Sequence, residues 1–544
     1  MKTKIYLIAG LILELGLMIS VRSLAAEEFL CSNPVPTAEG PVIGAAEPGV
    51  PACVYKGIPY SAPPIGELRW RAPQPALPHS GAFPANTFGA SCPQDELLTS
   101  GGESAAFSED CLNLNIWTPQ KPGRYPVMVW IHGGAFREGA GTYEMYNGGR
   151  LAGERNMVIV TLNYRIGFLG FLALPELAAE DPHGSTGNYG ILDQIRALQW
   201  VHDNIAGFQG DPGKVTIFGQ SAGGMSVCTL LASPLAAGLF HQAIPMSGGC
   251  DTSVTLEKGF KQGEKFAADL QCPGEDRLDC LRQKPADALV PKGGNLVLQG
   301  ISGGGISHSP AIDGYMLLDN PINSLRAGKY NRVPVMLGHT RDEIRLYTLI
   351  IPGVSLLSRS TVNKLLHRLL GSKTDQVMAL YSYQDFRNPS RLLFAVADDA
   401  FIAQGYAAAE ALAPQTPVFL YRFDWDQTRF PGKMGSFHGL DIPFVFGAMD
   451  LNSRIARILA SKKTYDKARP LSEQMMSYYT NFARTGDPNG KGLPAWPAYT
   501  LERKDRVYFD LPEIFAAPLS EQEIKRYGFF AKFGLDDLLM EEEE

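Results

Sequence analysis

The sequence V-T-I-F-G-Q-S-A-G-G, residues 215–224, is the most informative stretch of the chain. Four strand-forming residues lead into a turn centred on Ser221, and a helix-compatible run, residues 225–232, follows. Gly219 and Gly223 leave room for the strand and the helix to approach each other closely. A serine at such a turn presents its hydroxyl beside a helix N-terminus, where negative charge is favourable. The pattern therefore predicts a nucleophile elbow with Ser221 at its apex.

The composition is that of an ordinary globular protein with ample material for a core. The chain has 544 residues, of which 45% are apolar and 19% are charged, and its net charge is −7. There is no basic stripe, so nucleic acid is not expected as a partner. No C-x-x-C pair occurs, so a zinc site is not expected, and nothing in the sequence calls for another metal or a cofactor.

The chain begins with a predicted signal peptide, residues 1–25. A basic start precedes an apolar run, residues 5–21, and small residues stand at the expected cleavage positions. Glu14 interrupts the apolar run, and no later stretch reaches about 18 uninterrupted apolar residues, so no stable membrane anchor is expected. These features predict a secreted or periplasmic protein with one catalytic domain, residues 26–535, and an acidic tail, residues 536–544.

The eight cysteines fit an oxidising compartment. Bridges at Cys92–Cys111 and Cys272–Cys280 would each close a short polar loop. Cys31 and Cys53 flank a Pro/Gly-rich opening and offer a third bridge. Cys228 follows Ser221 in the predicted helix, where two alternatives stay open: a buried free thiol or a bridge to Cys250.

Strand patterns alternate with helical patterns along most of the chain. Residues 112–117 alternate with period two, and the continuous apolar run 126–131 indicates a strand buried on both faces. Apolar residues recur at helical spacing in 189–204, and residues 361–413 read as a helical cap. This order predicts an α/β fold with a mostly parallel central sheet and helices on both faces. The expected strands are residues 54–60 at an edge, 112–117, 126–131, 158–162, 215–218, 243–247, 333–337 and, last, 418–423.

A glycine pair follows the predicted strand 126–131. His132, Gly133 and Gly134 carry the chain out of that strand. Two glycines present backbone N–H groups without side-chain obstruction, which is what a developing oxyanion requires. A plain turn is the alternative, and the elbow downstream favours the oxyanion hole.

A serine hydroxyl becomes a good nucleophile when a histidine takes its proton and an acid orients that histidine. In chains with this elbow the acid and then the histidine follow the serine, each after a later strand. Asp342 and Glu343 follow strand 333–337, and the residues alone leave open which of them is the acid. His438 is the histidine that comes after this pair, lies in a loop and is followed by glycine, whereas His367 falls in a helical pattern. The residues therefore predict a Ser–acid–His hydrolase.

These motifs resemble the type-B carboxylesterase family of α/β-hydrolases, which also holds cholinesterases, some lipases and neuroligin-like adhesion proteins. Residues 471–488 are similar to its bacterial-type members, and the match covers nearly the whole mature chain. The matching motifs are E-D-C-L-N-L-N at 109–115, H-G-G at 132–134, N-Y-R at 163–165, G-I-L-D-Q at 190–194, the elbow, D-E at 342–343 and H-G at 438–439.

The resemblance implies roles for particular residues. Glu343, rather than Asp342, would be the acid of a triad with Ser221 and His438. The oxyanion donors would be Gly133, Gly134 and Ala222. Ser247 and Asp441 would support the acid and the histidine, and Gln220 would stand beside the nucleophile. The same resemblance implies the bridges Cys92–Cys111 and Cys272–Cys280.

Two departures from the family bear on the substrate. Most members have Glu where this chain has Gln220, although juvenile-hormone-type esterases also carry Gln there. The loop from Cys92 to Cys111 has no Trp, which choline-hydrolysing members use in this loop. The expected function is a serine carboxylesterase that hydrolyses neutral carboxylic esters, small molecules, through an acyl-enzyme. The alternatives are lipase-like activity, juvenile-hormone-esterase-like activity, or a non-catalytic binding module, whose relatives lack triad residues that are present here.

Overall fold

A computed structural model describes residues 30–95, 106–290, 308–345, 353–428, 434–449 and 462–533. The predicted signal peptide 1–25 and acidic tail 536–544 lie outside these residues. A central sheet organises the fold, and its strands appear across it in the order β11-β10-β9-β8-β7-β6-β4-β5-β3-β2-β1. The strands are β1 (Ala45–Ala46), β2 (Ala52–Pro59), β3 (Asn113–Pro119), β4 (Tyr125–Ile131), β5 (Val158–Leu162), β6 (Gly210–Gln220), β7 (Gln242–Met246), β8 (Val335–Thr340), β9 (Val418–Phe423), β10 (Asp505–Phe509) and β11 (Phe515–Pro518).

The sheet is mostly parallel, as predicted. Neighbouring strands from β10 across to β5 run parallel. Antiparallel pairing is confined to the two sides, where β11 joins β10 and where β3, β2 and β1 follow β5. Two short parallel pairs lie apart from the sheet, Val42–Ile43 with Phe83–Pro84 and Val254–Thr255 with Ala311–Ile312.

Helices cover both faces of the sheet. The α-helices are α1 (Gly149–Arg155), α2 (Gly167–Phe171), α3 (Pro175–Glu180), α4 (Tyr189–Asn204), α5 (Ala222–Ala232), α6 (Leu256–Asp269), α7 (Arg277–Gln283), α8 (Pro321–Arg326), α9 (Arg359–Leu370), α10 (Thr374–Met378), α11 (Pro389–Leu412), α12 (Ile442–Phe446), α13 (Lys462–Thr485) and α14 (Glu521–Phe530). Apolar residues of α4, α5 and α11 join one core, and those of α1, α12 and α13 join another.

Strand β4 shows why a central strand must be apolar on both sides. Val127, Val129 and Ile131 contribute to the first core, while Met128 and Trp130 contribute to the second. All five side chains are fully buried. Because successive residues of a strand point to opposite faces, a strand covered on both faces reads as a continuous apolar run.

The edges of the sheet differ from the prediction. Residues 54–60 were expected at an edge, but β1 pairs outside β2 and takes that position. At the other side, β10 and β11 extend the sheet beyond the strand expected to be last. Strand β10 was missed because it contains Asp505 and Arg506, which read as surface residues although both are buried. Strand β8 runs on to Thr340, three residues past the expected end, because its pairing with β9 continues to that point.

The predicted cap, residues 361–413, is helical and contains most of α9 and all of α10 and α11. Helix α11 packs against β8 and against α14 near the end of the described chain. By length and composition alone α11 could cross a membrane, but 61% of its most apolar window is buried within the fold. Such burial is typical of a core helix.

All eight cysteines are paired. The bridges are Cys31–Cys53, Cys92–Cys111, Cys228–Cys250 and Cys272–Cys280. The alternative left open for Cys228 is thus decided in favour of a bridge, which ties α5 to the segment that follows β7. Both of these segments meet at the site described next.

Candidate active site

Ser221 occupies the sharp turn between β6 and α5. Its backbone has φ 59° and ψ −126°, a conformation that side-chain-bearing residues rarely adopt. Its N–H donates to the Met246 carbonyl at 2.9 Å, which fastens the turn to β7. A Cβ at Gly223 would lie 2.0 Å from the Ile131 carbonyl oxygen, so only glycine fits there. The flanking glycine thus has the packing role that the motif predicts.

The segment after β4 lies directly against this turn. A Cβ at Gly133 would meet the Gln220 carbonyl oxygen at 2.4 Å and the Ser221 Cβ at 3.0 Å. Gly134 has φ +114°, and a Cβ there would lie 2.1 Å from the Glu138 carbonyl oxygen. The structure therefore brings the predicted oxyanion segment to the predicted nucleophile.

Three backbone N–H groups at this junction are available to a ligand. Those of Gly133, Gly134 and Ala222 have no acceptor among the described residues. Ala222 is the first residue of α5, where unpaired N–H groups give a helix N-terminus its partial positive charge. Together the three groups form a region that favours negative charge.

His132 and Tyr164 hold the glycine segment in place. The Tyr164 hydroxyl donates to the His132 carbonyl at 2.8 Å, and the two rings stack with centroids 4.4 Å apart. Burial lowers the pKa of His132 to about 4, so its ring is neutral at physiological pH. This histidine therefore supports the backbone and adds no charge to the site.

Glu343 and His438 are in direct contact. A Glu343 carboxylate oxygen lies within hydrogen-bond distance of His438 Nδ1, and its other oxygen accepts the Thr340 N–H at 2.7 Å. Burial acts to raise the pKa of the Glu343 carboxyl, but the charge and the hydrogen bond of His438 outweigh burial and lower it. The carboxylate is therefore ionised and accepts a hydrogen bond from the Nδ1–H of the imidazole.

Asp342, the other candidate acid, contacts groups other than the His438 ring. Its carboxylate accepts the Ser436 N–H at 2.9 Å and pairs with Arg345 at 2.8 Å and with Arg341 at 3.0 Å. The geometry therefore gives Asp342 a structural task, which is to hold the segment just before His438.

Gln220 touches the second ring nitrogen of His438. The Gln220 Nε2 and His438 Nε2 atoms are 3.0 Å apart. Gln220 is 6% exposed and belongs to β6, immediately before Ser221. The histidine is thus held from both sides, by a carboxylate at Nδ1 and by an amide at Nε2.

Ser247 and Asp441 lie close to the pair formed by Glu343 and His438. Ser247 makes a smaller contribution that lowers the pKa of Glu343, although its hydroxyl completes no regular hydrogen bond among the described residues. Asp441 is fully buried and accepts the Tyr421 hydroxyl at 3.0 Å. Burial, with the negative charge of Glu343 as a second cause, raises the pKa of Asp441 to about 7.

Sequence reasoning missed two neighbours of the site, both on α11. Asp398 accepts the N–H of Ile344, the residue after Glu343, at 2.7 Å. The ring of Phe401 meets that of His438 edge-on, with centroids 5.6 Å apart. A signal existed for the first of them, because Asp398 and Asp399 interrupt an apolar helix, and a buried carboxylate needs a partner.

In the described part of the chain, no cluster of three or more His, Cys, Asp or Glu residues could hold a metal ion.

Comparisons with known proteins place the whole chain in a family. A family model described as the carboxylesterase family matches residues 32–525. The para-nitrobenzyl esterase of Bacillus subtilis is 37% identical over 483 residues, which cover 88% of this chain and 94% of that protein. Carboxylesterase 5A of Felis catus is 34% identical over 514 residues, covering 88% and 89%. A solved PNB esterase structure matches with a TM-score of 0.79 at 34% identity, covering 91% of this chain and 99% of that one. The chain is a carboxylic ester hydrolase with an α/β-hydrolase fold, and it belongs to the carboxylesterase family.

Proposed function

We propose that this esterase hydrolyses uncharged carboxylic esters through an acyl-enzyme formed on Ser221. The observation that carries the proposal is the contact between His438 Nδ1 and Glu343, next to a strained serine elbow. The acid, the base and the nucleophile of a serine hydrolase need this arrangement.

In the first step the Ser221 oxygen attacks the ester carbonyl carbon. His438 takes the serine proton at Nε2. Glu343 accepts a hydrogen bond from Nδ1–H and stabilises the imidazolium. The imidazolium then gives its proton to the leaving alkoxide, which departs as the alcohol. Water repeats the sequence on the acyl-enzyme and releases the carboxylic acid.

The negative charge on the carbonyl oxygen develops beside Gly133, Gly134 and Ala222. Their unpaired N–H groups supply three donors without any movement of side chains. Preorganised donors of this kind contribute most where the charge appears only in the transition state, and losing one such donor costs about 10²–10³ in kcat.

The residues near Ser221 favour uncharged esters over cationic ones. Gln220 brings an uncharged amide to the position beside the nucleophile. Phe107 is the aromatic residue of the loop between Cys92 and Cys111, and its side chain is 46% exposed rather than built into a wall. A quaternary ammonium group needs stacked aromatic faces, which this loop does not supply.

We also propose that the enzyme works outside the cytoplasm. Four disulfides are typical of an oxidising compartment. The basic and apolar start of residues 1–25 has the pattern of a cleaved signal peptide. Both features indicate a secreted or periplasmic enzyme. Its one catalytic domain would span residues 26–535.

The proposal is tested by a burst of product together with covalent labelling. Mixing the enzyme with a p-nitrophenyl ester should release about one p-nitrophenol per site before the steady rate. A fluorophosphonate should label Ser221, located by peptide mapping, and should abolish the burst. A panel of p-nitrophenyl esters of increasing acyl length then defines the acyl preference. Labelling of another residue, or turnover that survives complete labelling, would contradict the proposal.

A further inference from the structure

Gln220 makes a contact whose chemistry bears on the reaction itself. Its amide nitrogen is 3.0 Å from His438 Nε2, the atom that must receive the serine proton. The side chain is held close to the histidine segment, since a Cβ at Gly439 would lie only 3.6 Å from Gln220 Nε2. The amide is thus enclosed between the elbow and the segment that carries the base.

The protons of this contact can be assigned from the partners. Glu343 is ionised and offers only acceptor oxygens, so His438 Nδ1 must carry the hydrogen between them. The other ring nitrogen then has a lone pair and no hydrogen. Gln220 must therefore donate an amide N–H to it, because a carbonyl oxygen there would face another acceptor.

One lone pair on Nε2 thus has two potential donors. The Gln220 amide uses it in this structure, whereas the Ser221 hydroxyl must use it for the reaction to begin. Ser221 has no hydrogen bond from its side chain among the described residues. The amide and the nucleophile therefore compete for the same acceptor.

We propose that Gln220 is a positioning residue that holds Nε2 of the resting His438 and yields it to Ser221 when the ester is attacked. This inference rests on the function proposed above. As the bond between the serine oxygen and the carbonyl carbon forms, the hydroxyl proton moves to Nε2 and the carbonyl electron pair moves to the oxygen. Nε2 then carries a hydrogen and no lone pair, so the Gln220 amide has no acceptor there until the proton leaves with the alcohol.

The uncharged amide also determines the electrostatic environment of the base. In the described part of the chain, the titratable groups around His438 include Glu343 from the segment after β8 and Asp441 from its own segment, with His339 and Asp398 next to Glu343. Phe401 of α11 faces the ring without charge. A carboxylate at position 220 would be a second anion in contact with the ring and would favour the imidazolium, which cannot accept a proton. Gln220 places no such anion against the ring.

The test is the pH profile of kcat/KM for a p-nitrophenyl ester in two variants. Gln220→Glu has the same size and adds a charge, and we expect the acidic limb to move up by about one pH unit or more. Gln220→Met has a similar length with neither charge nor N–H, so it removes only the donor to the unprotonated ring, and its limb should move up by about half a pH unit, less than that of Gln220→Glu. If Gln220→Glu does not fold, Gln220→Asp brings the same charge on a side chain one methylene shorter.

An unmoved limb in either variant would overturn the inference, as would an equal shift in the two variants. Fluorophosphonate labelling of the wild type separates this failure from that of the proposed function. If Ser221 is labelled and the limb does not move, the role of Gln220 is wrong while the acyl-enzyme mechanism stands. If Ser221 is not labelled, the proposed function fails first. Melting temperatures of all variants, measured in the same buffers, show whether a shift arises in the folded enzyme.

Discussion

Asp342 and Glu343 are adjacent in the sequence, and their carboxylates hold two different parts of the segment that carries His438. Asp342 accepts the backbone N–H of Ser436 at 2.9 Å, and Glu343 contacts the ring of His438 itself. One residue thus fixes where the segment lies, and the next fixes how the imidazole is oriented.

This division predicts opposite phenotypes for two matched substitutions. Glu343→Gln should reduce kcat by about 10³–10⁴-fold with little change in melting temperature, because an amide can present the wrong group to Nδ1. Asp342→Asn should reduce kcat by less than about tenfold but lower the melting temperature, because it weakens the ion pairs to Arg341 and Arg345. Steady-state kinetics and thermal unfolding on both proteins provide the check. A reversed pair of phenotypes would transfer the role of the acid to Asp342.

Ser221→Ala should abolish esterase activity and preserve the fold. Loss of a triad nucleophile lowers turnover by about a million-fold, whereas alanine tolerates the positive φ of this turn about as well as serine does. Turnover of p-nitrophenyl butyrate and the melting temperature are the two measurements. A variant that retained a tenth of the activity would exclude Ser221 as the nucleophile.

Non-reducing peptide mapping should recover the four cysteine pairs, including Cys228 with Cys250. This bridge closes a loop of 22 residues, for which the chain-entropy argument gives about 3 kcal/mol of stability. The double variant Cys228→Ser/Cys250→Ser should therefore unfold at lower denaturant concentration. Free thiols at either position in the folded, exported protein would contradict both the pairing and the compartment argument.

Asp441→Asn should change how stability depends on pH. The pKa of Asp441 is raised in the fold from its ordinary value of 3.8 to about 7, so the folded protein binds a proton more tightly than the unfolded chain does. Native stability therefore falls as pH rises between these values, and an uncharged Asn avoids that loss. The melting temperature of the variant relative to wild type should rise from about pH 5 to about pH 8. A difference that stays constant or falls over this range would mean that Asp441 is already ionised at low pH.

Neutral esters should be preferred over choline esters. Each aromatic face that binds a quaternary ammonium contributes about 0.5–2 kcal/mol, and the loop containing Phe107 offers one exposed ring. The comparison is butyrylcholine against its uncharged isostere 3,3-dimethylbutyl butyrate, by kcat/KM on one enzyme preparation. A tenfold advantage for the cation, about 1.4 kcal/mol, would reveal a cation site near the serine.

The sequence was sufficient for the features that depend on local pattern. The elbow was predictable because strand, glycine turn and helix are adjacent, and β4 was predictable because an apolar strand admits few other interpretations. Strand β10 was not, since Arg506 becomes acceptable in a buried strand only through its ion pair with Glu523, which is supplied by a helix further along the chain.

In the candidate site, too, local pattern and chain order were predictable, whereas long-range side-chain contacts were not. Chain order was enough to nominate His438, but the choice between Asp342 and Glu343 depends on side-chain direction, which a resemblance could suggest and residue spacing could not. The contact between Gln220 and His438 joins positions 218 residues apart, and no periodicity in either segment reports it.

The order of strands across the sheet has a consequence for how the enzyme comes into being. From β6 onward, each new strand joins the same growing side in chain order, so Ser221 arrives with β6, Glu343 after β8 and His438 after β9. A nascent chain thus carries its proposed nucleophile for more than two hundred residues before the proposed base follows. Interrupted synthesis beyond β8 would leave that strand as an open edge, prone to pair with other chains, in a product that is inert towards esters.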